Sequence, residues 1–273
     1  MSRYETLKYE EFGPVARVTL HRPDVHNAFD VQMMREVYAC WRELRDNDDI
    51  RVIVLTGTGD KAFSTGLDRV AAAVGEDDRI PDIGRRGGTP MHQNEPGDWL
   101  MPKSSGKLWK PIIAAVNGMA CGGAFYMLGE VEFIIAAEHA TFFDPHTTYG
   151  MATVYESMMM AQRMPLGEIM RLSLMGSYER MSAQRAHQIG LVQEVVPAEE
   201  LQETALRVAQ TMASQPPLAL QATVRSIWYT REMGYRQAMA AGDAMVQLAI
   251  DEDELSEGQR VFKSGKRIDW RLR

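Results

Sequence analysis

The stretch that decides the fold lies at residues 110–124 and reads KPIIAAVNGMACGGA. Its apolar run, Ile112–Val116, is continuous rather than alternating, which is typical of a strand that is covered on both faces. An asparagine and a glycine at 117–118 end the run, because both residue types favour turns. A glycine pair then opens a helical pattern over residues 122–130. The stretch therefore predicts a buried strand, a turn and a helix in succession.

Outward from this stretch, apolar runs alternate with helical patterns over the first 195 residues. Further strands are predicted at 52–55 and 133–137, a hairpin at 5–10 and 15–20, and helices at 30–45, with Asp30 as the N-cap, and at 166–175. Strands that alternate with helices indicate a layered α/β protein. The later pattern is helical, at 199–213, 218–231 and 235–250. We therefore divide the chain into an α/β core, 1–195, and a helical C-terminal region, 196–273.

Composition and charge exclude several classes of protein. The 273 residues carry a formal net charge of -7, which argues against the basic footprint of a nucleic-acid-binding protein. No apolar run approaches the roughly 18 residues of a membrane span, and the N-terminus lacks the apolar core of a secretory signal. The two cysteines, Cys40 and Cys121, form neither a disulfide framework nor a CxxC metal motif. We expect a soluble cytoplasmic protein with no metal, no membrane contact and no nucleic-acid partner.

Residues 75–108 break the alternation of strands and helices. They are rich in glycine and proline and show little apolar periodicity. A long irregular stretch of this kind is usually functional or disordered. We interpret it either as a loop over a pocket or as a plain surface excursion.

Two glycine-containing turns carry the most informative chemistry. One is AFSTGLD at residues 62–68, and the other begins at Asn117 and contains Gly122 and Gly123. Glycine allows the backbone to approach a ligand closely, and the first N–H groups of a helix are unpaired. Two such N–H groups that face one thioester oxygen would form an oxyanion hole, which contributes about 3–4 kcal/mol per donor to an enolate-like transition state. Taken separately, each glycine segment is better explained as an ordinary turn than as a site.

The order and spacing of several motifs add to this reading. They are Arg22-Pro23 with Asn27-Ala28, residues 61–68, residues 110–118, Gly122-Gly123, Arg180-Met181-Ser182-Ala183 with Ala186 and Gly190-Leu191-Val192, and Glu257-Gly258 with Phe262. Over nearly its full length the chain resembles the enoyl-CoA hydratase/isomerase (crotonase) superfamily.

The resemblance implies a fold and an assembly. The expected fold is a spiral of ββα turns that form two nearly perpendicular sheets with surrounding helices. The C-terminal helices are expected to build a homotrimer, or a dimer of trimers.

The resemblance also implies a substrate and a site. Members bind acyl-CoA and stabilise a thioester enolate, and by position the two N–H donors are those of Leu67 and Gly123. Coenzyme A is part of the substrate, so no separate cofactor is expected. The implied CoA-binding residues are Val25, Thr65, Leu67, Arg69, Phe262, Lys263 and Lys266.

Two substitutions separate this chain from the hydratases of the family. Those enzymes use two glutamates as general acid and base, and the matching positions here are Tyr126 and His146. A histidine shuttles protons near neutral pH, because its ordinary pKa is about 6.5. Glu156 either orients His146 or is itself the acid or base, and Asp144 also lies near in sequence. The alternatives are a structural histidine and a carboxylate that only stabilises a helix start.

Other side chains near these positions have alternative roles. Tyr126 could donate a hydrogen bond to substrate, but a phenol with an ordinary pKa of about 10 is a poor base. Phe125, Tyr149, Met151 and the three methionines at 158–160 line an acyl pocket or belong to the core. Residues 260–273 carry a local charge of +5, which would attract the CoA nucleotide.

Three functional hypotheses follow. The first is an enoyl-CoA hydratase/isomerase-like enzyme that holds an enolate in the Leu67 and Gly123 oxyanion hole. The second is hydrolytic C–C cleavage of a β-keto substrate through His146 and Glu156. The third is an acyl-CoA-binding protein that has lost catalysis together with the two glutamates.

Overall fold

The apolar runs of the sequence become two β-sheets. The computed structural model describes residues 3–69, 99–265, 267–268 and 270–272. The strands in this part of the chain are β1 (Leu7–Phe12), β2 (Val15–Leu20), β3 (Val52–Gly57), β4 (Ala62–Ser64), β5 (Ile112–Val116), β6 (Met119–Cys121), β7 (Phe133–Ala137), β8 (Thr141–Phe143), β9 (Met181–Ser182) and β10 (Glu194–Val196).

Helices surround the sheets and continue beyond them. They are α1 (Val31–Asp46), α2 (Ala124–Leu128), α3 (Tyr155–Ala161), α4 (Leu166–Met175), α5 (Ala183–Gln188), α6 (Leu201–Ala213), α7 (Pro217–Glu232), α8 (Tyr235–Leu248) and α9 (Glu252–Lys263). No helix in the described ranges is long and apolar enough to cross a membrane.

The larger sheet has the strand order β1-β2-β3-β5-β7-β10, and the smaller one has the order β4-β6-β8-β9. All neighbours from β2 to β10 pair in parallel, whereas β1 forms the predicted antiparallel hairpin with β2. Each short strand β4, β6 and β8 follows a long strand of the larger sheet. The chain therefore passes repeatedly from the larger sheet to the smaller one, and after β5 and β6 it enters helix α2.

Both faces of the larger sheet are covered. Along β3, Ile53 and Leu55 belong to one core cluster, and Val52 and Val54 belong to another. The first cluster contains the apolar stripe of α1, and the second contains that of α6. Parallel strands with two buried faces read as continuous apolar runs, which is why these strands were visible in the sequence.

The described chain separates into two compact units, residues 1–213 and 214–273. Helix α6 belongs to the first unit because Leu201, Ala205 and Ala209 are buried in the second core cluster. The structure thus divides between Ala213 and Ser214, later than the predicted boundary at residue 195. The role of the C-terminal region in oligomerisation stays a prediction.

The α/β class, the two sheets and the surrounding helices are confirmed. Asp30 caps α1 as predicted, because its side chain accepts the N–H of Met33. The helix predicted over 122–130 is shorter, since Gly123 and Gly129 are its two caps. The short strands of the smaller sheet and helix α9 were not predicted.

Two buried asparagines join the turns between the sheets. The Asn117 amide accepts the N–H of Gly57 at 3.0 Å and donates to the carbonyls of Gly59 at 2.7 Å and Ala62 at 3.0 Å. The Asn27 amide donates to the same Ala62 carbonyl at 2.9 Å. The start of β4 is therefore held from two sides.

We predict that Asn117→Ala lowers the free energy of unfolding by about 2–3 kcal/mol, because a buried N–H loses its acceptor. Denaturant unfolding measures this loss. The control is Asn47→Ala, since the Asn47 amide accepts the N–H of Asp49 at an exposed helix end. Equal losses in the two variants would contradict the role assigned to Asn117.

Candidate active site

The two glycine-containing turns lie against each other. Gly66 has φ +81, and a Cβ atom on it would lie 2.7 Å from the backbone nitrogen of Gly123. Such a short distance leaves no room for a side chain, and the positive φ favours glycine independently. The turn after β4 and the turn after β6 therefore meet backbone to backbone.

The backbone around Leu67 is fixed by Phe29 and Arg22. The N–H of Phe29 donates to the Gly66 carbonyl at 2.7 Å, and the N–H of Asp68 donates to the Phe29 carbonyl at 2.8 Å. Arg22 forms an ion pair with Asp68 at 3.0 Å. These contacts hold both neighbours of Leu67, whose own side chain is exposed.

The N–H groups of Leu67 and Gly123 find no acceptor among the described residues. Donors without a protein partner in a tightly fixed turn are the feature that an oxyanion hole requires. The structure thus brings the two predicted donors into one place, and their catalytic role stays a prediction.

His146 lies beside the same glycine pair. A Cβ atom on Gly122 would lie 3.7 Å from Cε1 of the His146 ring. The ring Nδ1 lies 2.5 Å from a carboxylate oxygen of Asp144, and Nε2 lies 3.6 Å from Oε1 of Glu156. Both carboxylates are buried. The imidazole therefore stands between two buried carboxylates at the edge of the glycine turns.

The pKa values of this pair are displaced in opposite directions. The hydrogen bond to Asp144 raises the pKa of His146, and the negative charges of Asp144 and Glu156 raise it further. Partial burial and the positive charge of Arg69 lower this pKa, but the net shift is upward. Burial of Asp144 opposes ionisation, but hydrogen bonds from His146 and Thr153 outweigh that cost, so the pKa of the carboxyl lies below its ordinary value. The geometry favours an imidazolium paired with an aspartate.

Tyr126 also reaches this region. It lies in α2, and its Cε2 atom would be 3.3 Å from a Cβ atom on Gly123. Its ring packs on the core and is partly buried. The structure thus places Tyr126 against one predicted N–H donor, as expected from its position on the helix.

The expected CoA-binding residues lie in both units. Val25 and Leu67 are exposed and Thr65 is half-buried, all in the first unit. Arg69, also there, lies over the Tyr149 ring at 4.4 Å, with a nitrogen 3.9 Å from the sulfur of Met151. The remaining CoA residues belong to the second unit: Phe262 and Lys263 are exposed on α9, and Lys266 lies outside the described residues. The CoA-binding role of all of them stays a prediction.

The apolar residues considered for an acyl pocket differ in burial, and Met159 is partly buried against the core. Phe125 and Met160 are fully buried in the core. Tyr149, Met151 and Met158 are exposed. Of the irregular stretch 75–108, residues 75–98 lie outside the described residues.

The end of the irregular stretch packs into the protein. Trp99 and Leu100 are buried. The carboxylate of Glu130 accepts the backbone N–H groups of Lys103 at 2.7 Å and Ser104 at 2.9 Å. Residues 99–108 are therefore part of the core structure rather than a surface excursion.

Sequence reasoning missed Thr153, whose hydroxyl donates to Asp144 at 2.6 Å. Its segment shows no periodicity, so no signal in the sequence pointed to it. No group of three or more His, Cys, Asp or Glu side chains within the described ranges has the arrangement of a metal site.

Comparison with known proteins identifies the family of the chain. The sequence profile described as enoyl-CoA hydratase/isomerase matches residues 10–273. The chain belongs to the enoyl-CoA hydratase/isomerase family. Carnitinyl-CoA dehydratases of Citrobacter koseri and Salmonella typhi are 30% and 31% identical to it, each over 98% of this chain and 99% of the relative.

Solved structures of this family share the fold. An enoyl-CoA hydratase/isomerase from Mycobacterium paratuberculosis superposes with a TM-score of 0.87 at 32% identity, over 99% of this chain and all 100% of that one. An enoyl-CoA hydratase from Bacillus anthracis superposes with a TM-score of 0.83 at 25% identity, over 96% and 97% of the two chains. The resemblance stated from the motifs is confirmed, and the protein has the crotonase fold.

We predict a pH window for the stability that the His146–Asp144 pair contributes. The pKa of His146 is higher in the folded protein than in the unfolded chain, where it is about 6.5, so protonation of His146 stabilises the fold. This stabilisation has its full value below about pH 6.5 and is lost as the pH rises through the pKa of the folded protein. The pKa of Asp144 is lower in the folded protein than in the unfolded chain, where it is about 4, so ionisation of Asp144 also stabilises the fold. This stabilisation is present above about pH 4 and is lost as the pH falls through the pKa of the folded protein. The contribution is therefore full between about pH 4 and 6.5.

The measurement is the difference in unfolding free energy between the wild-type protein and His146→Gln across this pH range. We expect the difference to shrink at higher pH. His26→Gln serves as the control, because His26 lies in an exposed turn. A difference that stays constant from pH 5 to 9 would rule out the charged pair.

Proposed function

We propose that this family member hydrates an enoyl-CoA thioester, or dehydrates the corresponding hydroxyacyl-CoA, through an enolate. One observation carries the proposal: the turns of Leu67 and Gly123 meet beside the His146–Glu156 pair. The dehydratase names of the two relatives support a lyase more than an isomerase. Two proton-transfer groups next to two unpaired N–H donors are what addition of water to a thioester-conjugated double bond requires.

In the proposed mechanism, the thioester oxygen accepts hydrogen bonds from the N–H groups of Leu67 and Gly123. Glu156 takes a proton from water as the water oxygen bonds to the β-carbon, and the electron pair moves to the thioester oxygen. The His146 imidazolium then gives its proton to the α-carbon as the enolate collapses. Proton transfer from Glu156 to His146 across the 3.6 Å gap restores the starting state.

Tyr126 has a secondary role in this proposal. It packs against Gly123 and positions that N–H group, and it does not replace a glutamate as a base. Its hydroxyl would donate a hydrogen bond to substrate.

The proposed substrate site extends from the glycine turns. The backbones at Val25, Thr65, Leu67 and Arg69 hold the pantetheine and adenine. The expected roles of Phe262, Lys263 and Lys266 in binding the nucleotide rest on the family resemblance alone. Coenzyme A enters with the substrate, so the reaction uses no separate cofactor.

A second candidate is hydrolytic C–C cleavage of a β-keto substrate. The proximity of Glu156 to His146 favours it, because the carboxylate can take a proton from the attacking water and the imidazolium can protonate the enolate. The oxyanion hole would then hold the enolate that leaves. A protein that binds acyl-CoA and turns over neither class would be the non-catalytic alternative.

We also propose that the protein assembles as a homotrimer or a dimer of trimers. Helices α7, α8 and α9 expose apolar side chains, among them Ile227, Val246 and Leu255. Such surfaces usually mark interaction sites. Sedimentation equilibrium should give a mass of about three or six times the 30.7 kDa of one chain. A monomer at micromolar concentration would contradict the assembly.

The activity is tested with crotonyl-CoA, whose enoyl absorbance disappears on hydration. His146→Gln and Glu156→Gln should each lower kcat by roughly 100 to 10,000-fold, the usual contribution of a general acid or base. Glu168→Gln is the matched control, since Glu168 forms a surface ion pair with Arg185 and contacts none of the proposed catalytic residues.

A panel of enoyl-CoA and β-keto substrates separates the two reactions. If no enoyl-CoA loses absorbance and a β-keto substrate is cleaved, the second candidate replaces the first. Full activity of His146→Gln would eliminate His146 from both mechanisms.

A further inference from the structure

A third carboxyl group, Asp144, lies behind the proposed acid–base pair. It follows β8, and its side chain is only 1% exposed. One oxygen accepts both the backbone N–H of His146 at 3.0 Å and the ring Nδ1 at 2.5 Å, and the other accepts the hydroxyl of Thr153 at 2.6 Å. A buried carboxylate in which each oxygen has a donor is fixed in place.

The contact with Nδ1 decides which nitrogen of His146 faces the site. An ionised carboxylate only accepts hydrogen bonds, so Nδ1 must carry a proton. Nε2 is then the nitrogen that gains and loses a proton, and it is the one that faces Glu156. Asp144 thus sets both the ring orientation and the tautomer of His146.

The contact with Thr153 reaches the other half of the pair. Thr153 lies two residues before helix α3 begins at Tyr155, and Glu156 lies in the first turn of that helix. The hydroxyl of Ser157 donates to the Thr153 carbonyl at 3.0 Å, which joins Thr153 to the same turn. A shift of Thr153 therefore moves the helix start that carries Glu156.

We propose that Asp144 is a positioning residue that sets the distance between His146 and Glu156, by holding the first directly and the second through Thr153. Asp144 does not touch substrate in this arrangement. The inference rests on the proposed acid–base roles of His146 and Glu156, and it predicts effects that can be measured without any substrate.

Other charged and titratable groups face this cluster. Arg69 acts on His146 from the turn after β4, and its charge lowers the pKa of the imidazole. Cys121 faces Asp144 from β6, and burial raises the pKa of its thiol to about 12, so it stays neutral at physiological pH. Arg180 acts on Cys121 from the segment before β9.

The first experiment follows the pKa of His146 by NMR titration, with the signal assigned through His146→Gln. Asp144→Asn should lower this pKa, because the imidazolium loses its anionic partner. Thr153→Val should lower it less, because Glu156 moves away while Asp144 remains. Thr153→Ser should restore the wild-type value.

The matched control is Thr147→Val. Thr147 is adjacent to His146, but its hydroxyl donates to the carbonyl of Ser173 and not to Asp144. This variant should leave the pKa of His146 unchanged. A pKa shift in Thr153→Val but not in Thr147→Val would then come from the lost contact with Asp144 and not from a general loosening of the segment.

The second experiment measures kcat on the substrate identified for the wild-type enzyme. Thr153→Val should lower kcat by roughly 10 to 100-fold, since a small displacement of a proton-transfer group costs this much. Thr153→Ser should recover activity, and Thr147→Val should retain it. Asp144→Asn should lower kcat at least as much as Thr153→Val, because His146 then loses the partner that orients its ring.

Two outcomes would overturn the inference. If the pKa of His146 is unchanged in folded Asp144→Asn, Asp144 does not act on His146 directly. If Thr153→Val and Thr147→Val give the same His146 titration, Thr153 does not connect Asp144 to Glu156. A wild-type protein that turns over no acyl-CoA would refute the proposed function alone, because the titrations still decide the positioning role. If Asp144→Asn does not fold, the threonine variants decide the question.

Discussion

The carbonyl of Ala62 accepts hydrogen bonds from two buried side-chain amides, and the arrangement of the site depends on this double contact. Asn27 reaches it from the turn after β2, and Asn117 reaches it from the turn after β5. The larger sheet therefore fixes where the smaller sheet begins. Because β4 ends at Ser64, only two residues before Gly66, the position of the Leu67 N–H group follows from the same contact.

Charge in the site is arranged around one imidazole. Asp144 is fully hydrogen-bonded, whereas Glu156 lies 3.6 Å from Nε2, which is longer than a direct hydrogen bond. The two carboxylates therefore differ in role although both are buried. One is fixed to protein donors, and the other is left with an incomplete contact that a water molecule or a substrate group can complete.

The sequence predicted the features that depend on local pattern. Continuous apolar runs indicated β3, β5 and β7, and the carboxylate of Asp30 indicated the start of α1. Strands of two or three residues, such as β9, are too short to show a period. The segment that begins at Trp99 has no period either, and its packing depends on partners such as Glu130 that are distant in sequence.

The site was predictable to the extent that glycine turns and motif spacing define it. The positions of Leu67, Gly123 and His146 came from the motifs, and the structure brings their backbones and rings together. The contact of Thr153 with Asp144 joins residues nine positions apart through an irregular segment. No spacing rule covers such a contact, so only the three-dimensional arrangement revealed it.

The parallel order of the larger sheet has a consequence for how the protein folds. Neighbouring strands such as β3 and β5 pair across a separation of about 60 residues, and contacts of this kind form slowly because a long loop must close first. The turns of Leu67 and Gly123 are placed by these same pairings. The site therefore has no local precursor in the unfolded chain, and during refolding its two halves can meet only after the distant strands have paired.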